Sequence, residues 1–169
     1  MSDDRGNAAD ADDATGGVTG PGIPSESRIR RGPVAVIECF EEIPCDPCEP
    51  ACPHGAIRVG SPIINLPVLD VDRCNGCGLC IPACPGQAIF VVDVSLPGEM
   101  GTVSIPYEFV PLPRKGDTVL ALDRDGRVLG EARVIRVVNP PSFDHTPVVT
   151  LEVPAGWVMR ARHLRPAAR

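Results

Sequence analysis

Eight cysteines fall in two runs that repeat at an offset of 32 residues, and no other feature restricts this 169-residue chain so tightly. Cys45, Cys48 and Cys52 align with Cys77, Cys80 and Cys84, and Pro50, Ala51, Pro53, Ala56 and Ile57 align with Pro82, Ala83, Pro85, Ala88 and Ile89. The leading cysteines, Cys39 and Cys74, differ by 35, so the first run holds three extra residues: "FEEIP" stands where the second has a two-residue spacer. Each copy reads as a strand ("VAVIEC", "LPVLDVDRC"), a cysteine loop, a helix of one to two turns and a return strand ("AIRVG", "AIFVVDV"). Two such units related by a pseudo-two-fold axis form a compact domain. Its core needs support, because aromatics make up only 4% of the chain while 17 glycines and 20 prolines keep helices short. Small domains poor in buried apolar surface borrow stability from metals or disulfides. The cysteines can supply either.

Disulfides require an oxidising compartment. The amino-terminal "MSDDRGNAADADDATGG" is acidic and polar, the opposite of a secretory signal. The arginine pair in "RIRRG" at 28–32 precedes a strand-like run instead of a signal core, and no apolar run approaches the roughly 18 residues of a membrane helix. The expectation is a cytoplasmic, metal-bearing protein without membrane insertion. The net charge is −6, with acids crowded into residues 1–27 and Arg160, Arg162, Arg165 and Arg169 gathered at the other end. Without a broad basic face, nucleic acid is not an expected partner. The basic end reads either as a solvated edge and tail or as a patch for an acidic partner.

The second run, C74-x₂-C77-x₂-C80-x₃-C84-P85, resembles the cysteine arrangement of bacterial two-cluster ferredoxins. Over residues 33–95 that resemblance implies a βαβ–βαβ fold, two [4Fe–4S] clusters and an electron-carrier role. It also implies a crossover, in which the last cysteine of each run serves the other run's cluster. Cluster I then takes Cys39, Cys45, Cys48 and Cys84, and cluster II takes Cys74, Cys77, Cys80 and Cys52. The first run departs from the pattern: Glu42 occupies the position of a leading cysteine, and Pro44 and Asp46 stand where the second run has Gly76 and Gly78. Cys39 ends a strand, however, and a longer excursion can return its sulfur. All eight cysteines are used, so the first run reads as a working site with a bulged loop. Two Cys₄ zinc sites remain as a competing reading, although zinc ribbons use paired C-x₂-C knuckles in place of triplets with a distant cysteine. A disulfide framework is the third.

The remaining segments differ in texture. Residues 1–27 lack apolar periodicity and read as a disordered acidic leader. Residues 28–98 hold the two-cluster unit, and 99–169 a β-rich docking module with a basic tail. In the latter, "YEFVPL", "DTVLALD", "RVLGEARVIRVV", "PVVTLEV" and "GWVMRARHL" are strand-length runs, with "RDG" at 124–126 as a tight hairpin turn. Four or five such strands suggest a small antiparallel barrel or sandwich, so the fold class is α+β. His145 and His163 stand alone and read as structural or surface residues, and Asp123 and Asp125 as turn residues.

A narrower resemblance spans "IECFEEIPCDPCEPACPHGAI", "NGCGLCIPACPGQAIFVVD", "YEFVPLPRKGDTV" and "PPSFDHTPVVTLEVP". These look like ferredoxin-type subunits of bacterial FAD-dependent dehydrogenase complexes acting on amino acids or related amines. That implies a hetero-oligomer with an FAD-containing dehydrogenase subunit and a further iron–sulfur subunit. The flavin subunit holds the catalysis, and this chain, with no catalytic residue of its own, relays electrons. The alternatives are a freely diffusing ferredoxin with an accessory domain, and a structural or oxygen-sensing iron–sulfur protein.

Overall fold

The computed structural model describes residues 19–166. Both copies of the repeat fold alike. In each, the helix is one turn: α2 at Cys48–Ala51 and α3 at Cys80–Ala83. Pro50 and Pro82 lie inside that first turn, where a missing N–H leaves no helical bond unmade. Pro53 and Pro85 then end the helices, because a residue before proline is driven out of helical ψ. Cys52 and Cys84 accordingly stand at φ −86° with ψ 105° and 108°.

The flanking strands are β1 (Val34–Ile37) and β2 (Ile57–Arg58) in the first copy, β3 (Val68–Leu69) and β4 (Ile89–Asp93) in the second. They pair across the repeat, β1 with β4 and β2 with β3, both antiparallel. Each crossing is extended by one equivalent bond, from Glu38 N to Ala88 O at 2.8 Å and from Asp70 N to Ala56 O at 2.7 Å. The sequence repeat is thus a structural one, βαβ–βαβ.

Five further strands follow: β5 (Met100–Pro106), β6 (Thr118–Leu122), β7 (Val128–Val138), β8 (Val148–Pro154) and β9 (His163–Pro166). They continue the β1–β4 pair into a seven-stranded antiparallel sheet of order β1-β4-β5-β8-β7-β6-β9. The boundary expected at 98/99 falls in the turn between β4 and β5, which pair with Val91 opposite Ser104. One apolar core runs through both halves, from Val34, Val36 and Ile81 to Ile105, Leu151 and Val153. The "RDG" turn closes the β6–β7 hairpin, with Asp123 N donating to Arg127 O and Asp123 Oδ1 accepting from Asp125 N and Arg127 N.

Three expectations need correcting. "YEFVPL" is not a strand: Tyr107 N still bonds Pro147 O at 2.8 Å, but Pro111 and Pro113 have no N–H to prolong a ladder. The strand lies before it, at β5. "GWVMRARHL" becomes a 3₁₀ turn, Ala155–Trp157, and enters the sheet only at His163. Of the leader expected to lack structure, residues 1–18 lie outside the described residues, but 19–27 are packed. Gly22 and Pro24 are buried, Ile37 N donates to Gly22 O at 2.9 Å, and Leu69 N donates to Pro21 O at 3.2 Å. Helix α1 (Glu26–Ile29) follows, capped by the Ser25 hydroxyl.

The carboxy-terminal strands are also tied to the repeat by charge. Glu38, just past β1, accepts from Arg162 Nε at 2.8 Å and from Arg124 Nη2 at 2.8 Å. Arg162 is buried, its guanidinium 4.7 Å from the Phe90 ring centroid, and it therefore does not belong to the solvated basic edge. Arg165 is exposed, Arg160 is partly buried, and Arg169 lies outside the described residues.

Candidate metal centre

None of the eight cysteines is in a disulfide. The structure gathers them around two separate cavities. One is walled by Cys39, Cys45, Cys48 and Cys84. The other is walled by Cys52, Cys74, Cys77 and Cys80. Each quartet contains one cysteine from the far copy. The cause is local: Cys52 and Cys84 are turned out of their helices by the following prolines, away from the three cysteines of their own run.

The loops hold the sulfurs with backbone N–H groups. After each helix the chain makes a left-handed residue, Gly55 at φ +56° and Gln87 at φ +51°. This brings Ala56 N to 3.3 Å from Cys52 Sγ and Ala88 N to 3.4 Å from Cys84 Sγ. Ala35 N, on β1, donates to Cys74 Sγ at 3.4 Å. Gly76 has φ +69° and lies so close to Pro33 that an added Cβ would meet the Pro33 Cβ at 2.5 Å. Only glycine fits there. The first loop has Pro44 at the equivalent position and spans its longer path against the 61–65 segment, where Cys45 N bonds Ile63 O at 3.4 Å.

Cys39, Cys48 and Cys80 resist ionisation. Burial, followed by the charge of Cys84, pushes the Cys48 thiol up to about 11. Burial, followed by the charge of Cys74, pushes Cys80 up to about 12. Cys39 is raised too, by burial and then by Cys84 and Cys45, while the Glu41 N–H opposes. Four adjacent thiols ionise together only when a cationic centre compensates them, which is what metal ligation supplies. A single zinc ion at Zn–S distances of about 2.3 Å would draw four sulfurs to one point. Here the thiols line a hollow, and among the described residues no three Cys, His, Asp or Glu side chains converge on a single-ion site. The donor set, four cysteines around each hollow, suits a multinuclear group.

The residues around the quartets are not equivalent. Cys77 is the exposed cysteine, and Cys48 and Cys80 are buried. Glu41 and Asn65 line the first cavity, whereas Glu42 does not. His54 lines the second. Arg28 is buried beside the second loop, where Nε donates to Val71 O at 2.7 Å and Nη2 to Cys74 O at 2.6 Å. Spacing points to none of Arg28, Asn65 or His54, for they have no counterpart in the repeat. His163 lies apart from both cavities, with ring centroids 5.0 Å from Phe109 and 5.9 Å from Tyr107, and burial lowers its pKa. His145 is an exposed residue at φ +67°. Asp123 and Asp125 stay in the hairpin turn. Among the described residues no helix is long and apolar enough to cross a membrane.

Comparison with known proteins bears on the same region. A 4Fe-4S binding domain model matches residues 67–90. An uncharacterized ferredoxin of Methanocaldococcus jannaschii is 39% identical over 71 residues, 41% of this chain and 43% of that protein. A subunit of the ion-translocating oxidoreductase complex of Methanosarcina acetivorans is 45% identical over 47 residues, 28% of this chain and 17% of that protein. Ferredoxin-1 of Chlorobaculum tepidum is 39% identical over 51 residues, 27% of this chain and 77% of that protein. The chain thus spans less than half the length of the first two relatives. No solved structure matches it.

Proposed function

This chain belongs to the 4Fe-4S ferredoxin family, and from that premise we propose that it transfers electrons through two [4Fe–4S] clusters as a fixed relay subunit of an FAD-dependent dehydrogenase complex. One observation carries the reading: two cavities, each walled by four cysteines that include one from the opposite copy. Cys39, Cys45, Cys48 and Cys84 hold cluster I; Cys74, Cys77, Cys80 and Cys52 hold cluster II. Bound there, the clusters supply one-electron redox chemistry. The chain's own residues fix and insulate them: the alanine N–H groups direct the sulfurs, Gly76 closes the second loop on Pro33, and all-cysteine ligation leaves bond-making catalysis to a partner. Eight free thiols suit a reducing cytoplasm.

The fixed-subunit part draws support from the surface. Phe40 and Ile43 on the inserted loop, with Ile63 and Ile64 on the segment that flanks it, are large apolar side chains left 41–49% exposed by the first quartet. Exposed apolar patches with polar rims mark association sites, and the strands after β4, from Met100 to Pro166, are an addition that a free carrier does not need. The Methanosarcina acetivorans relative is by name part of a complex. The extensive match to Ferredoxin-1 favours the second reading, a diffusible carrier.

Tagged chain, purified anaerobically and gently from its host, tests the choice. A co-eluting FAD protein that reduces a dye with an amino acid or amine is the expected outcome, and Phe40→Ser with Ile43→Ser weakens its retention. Recovery of the chain alone, free of flavin, contradicts the relay-subunit reading.

A further inference from the structure

The repeat makes the two quartets nearly equivalent, so charge that breaks the symmetry decides where an electron rests. Among the described residues their N–H···S bonds differ by one: Ala35 and Ala56 donate to the second quartet and Ala88 to the first, where the Glu41 N–H also favours the Cys39 thiolate. The charges differ in sign. Arg28 is buried, and its four hydrogen bonds all go to carbonyls of the second loop and its support: Val71 at 2.7 Å, Gly32 at 3.0 Å, Pro33 at 3.4 Å and Cys74 at 2.6 Å. Among the described residues no carboxylate pairs with it. Its charge sits one hydrogen bond from the carbonyl of a cluster ligand, where the low local dielectric makes it felt strongly. At the first cavity the lining charge is of opposite sign, Glu41.

Resting on the two-cluster reading, we propose that Arg28 sets the potential of cluster II above that of cluster I. Added electrons then collect at cluster II, beside the exposed Cys77. The cation favours the reduced, more negative form of the cluster it faces, while Glu41 disfavours that form at the other. Arg28 is a positioning residue as well, since its fork joins α1, the segment before β1 and the Cys74 loop.

The test is a potentiometric titration of the full chain, anaerobic and followed by EPR, after iron and sulfide analysis has established the cluster content. Cys77→Ser marks cluster II, because it alters only that signal. In the wild type, the marked signal is expected to be reduced first. Arg28→Gln is expected to move the electron distribution about tenfold toward cluster I, the ~59 mV that a tenfold change means for a one-electron couple. Arg28→Lys keeps the charge and restores most of the difference. Reduction of the marked signal second in the wild type overturns the proposal, even if Arg28→Gln assembles poorly. An assembled Arg28→Gln that shifts both potentials equally, or neither, also overturns it while leaving two clusters in place. A wild type without two clusters refutes the underlying reading itself, and the proposal with it.

Discussion

Arg162→Met removes the charge that ties β9 to the start of the first cysteine loop while keeping a stem of similar length. The guanidinium is buried and makes Nε–Glu38 Oε1 at 2.8 Å, Nη1–Val158 O at 3.0 Å and Nη1–Ala161 O at 2.7 Å. Nη2 also lies 2.8 Å from Glu38 Oε1, off the hydrogen-bonding angle, so it adds proximity of charge without a second bond. Removing one member of a buried pair costs about 3–5 kcal/mol, chiefly because the other charge is stranded. The lost contact with the Phe90 face adds about 0.5–2 kcal/mol. Two features offset this. Arg124 remains on Glu38, and the unfavourable burial that pulls the Arg162 pKa down is relieved. The expected net loss is about 2–4 kcal/mol, large against the roughly 5–15 kcal/mol that holds a domain folded. Anaerobic denaturant titration, followed by fluorescence of the single tryptophan, Trp157, measures it. Glu38→Gln alone is expected to be destabilising too, and the double variant to be less destabilised than the two single losses combined, by at least about 1 kcal/mol. A loss below about 0.5 kcal/mol for Arg162→Met, or strict additivity in the cycle, refutes the reasoning.

Gly76→Ala and Gly78→Ala separate conformational freedom from close approach. Both positions are left-handed, at φ +69° and +80°, which costs about 1–2 kcal/mol for a residue with a Cβ. Only at Gly76 does the new Cβ meet Pro33, at 2.5 Å, whereas at Gly78 the nearest atom is Ile81 Cδ1 at 3.7 Å. Iron analysis is expected to give a near-full complement for Gly78→Ala and loss of the second site for Gly76→Ala; equal retention in both contradicts the close-approach argument. Cys52→Ala, although in the first run, is expected to damage the same EPR signal as Cys77→Ala. Damage confined to the other signal means that the crossover is misassigned.

The repeat was readable because it is covalent spacing: prolines after Cys52 and Cys84 and glycines at 76 and 78 dictate backbone geometry with little help from distant residues. β5 was harder to see, since Gly101 interrupts a strand pattern, yet its close packing against Val158 and the Asp93 carbonyl is what requires glycine there. "YEFVPL" has the right apolar content, but Pro111 within it and Pro113 just after it deny it a ladder. The joining of the two halves was hidden for another reason. Strand pairing between β4 and β5, and the Glu38–Arg162 contact over 124 residues of chain, are long-range choices with no local signature. Arg28 was hidden as well, for in "RIRRG" it looks like one of several surface arginines, and only its burial under four carbonyls sets it apart.

The central claim is that both quartets hold redox-active clusters, including the one with the lengthened loop. Anaerobically purified full-length protein, reduced with a low-potential reductant and studied by low-temperature EPR with integrated spins and parallel iron analysis, tests it directly. The account predicts about eight irons and about two mutually broadened S = ½ spins per chain. About four irons with a single unbroadened spin contradicts it and means that the "FEEIP" loop does not close its site.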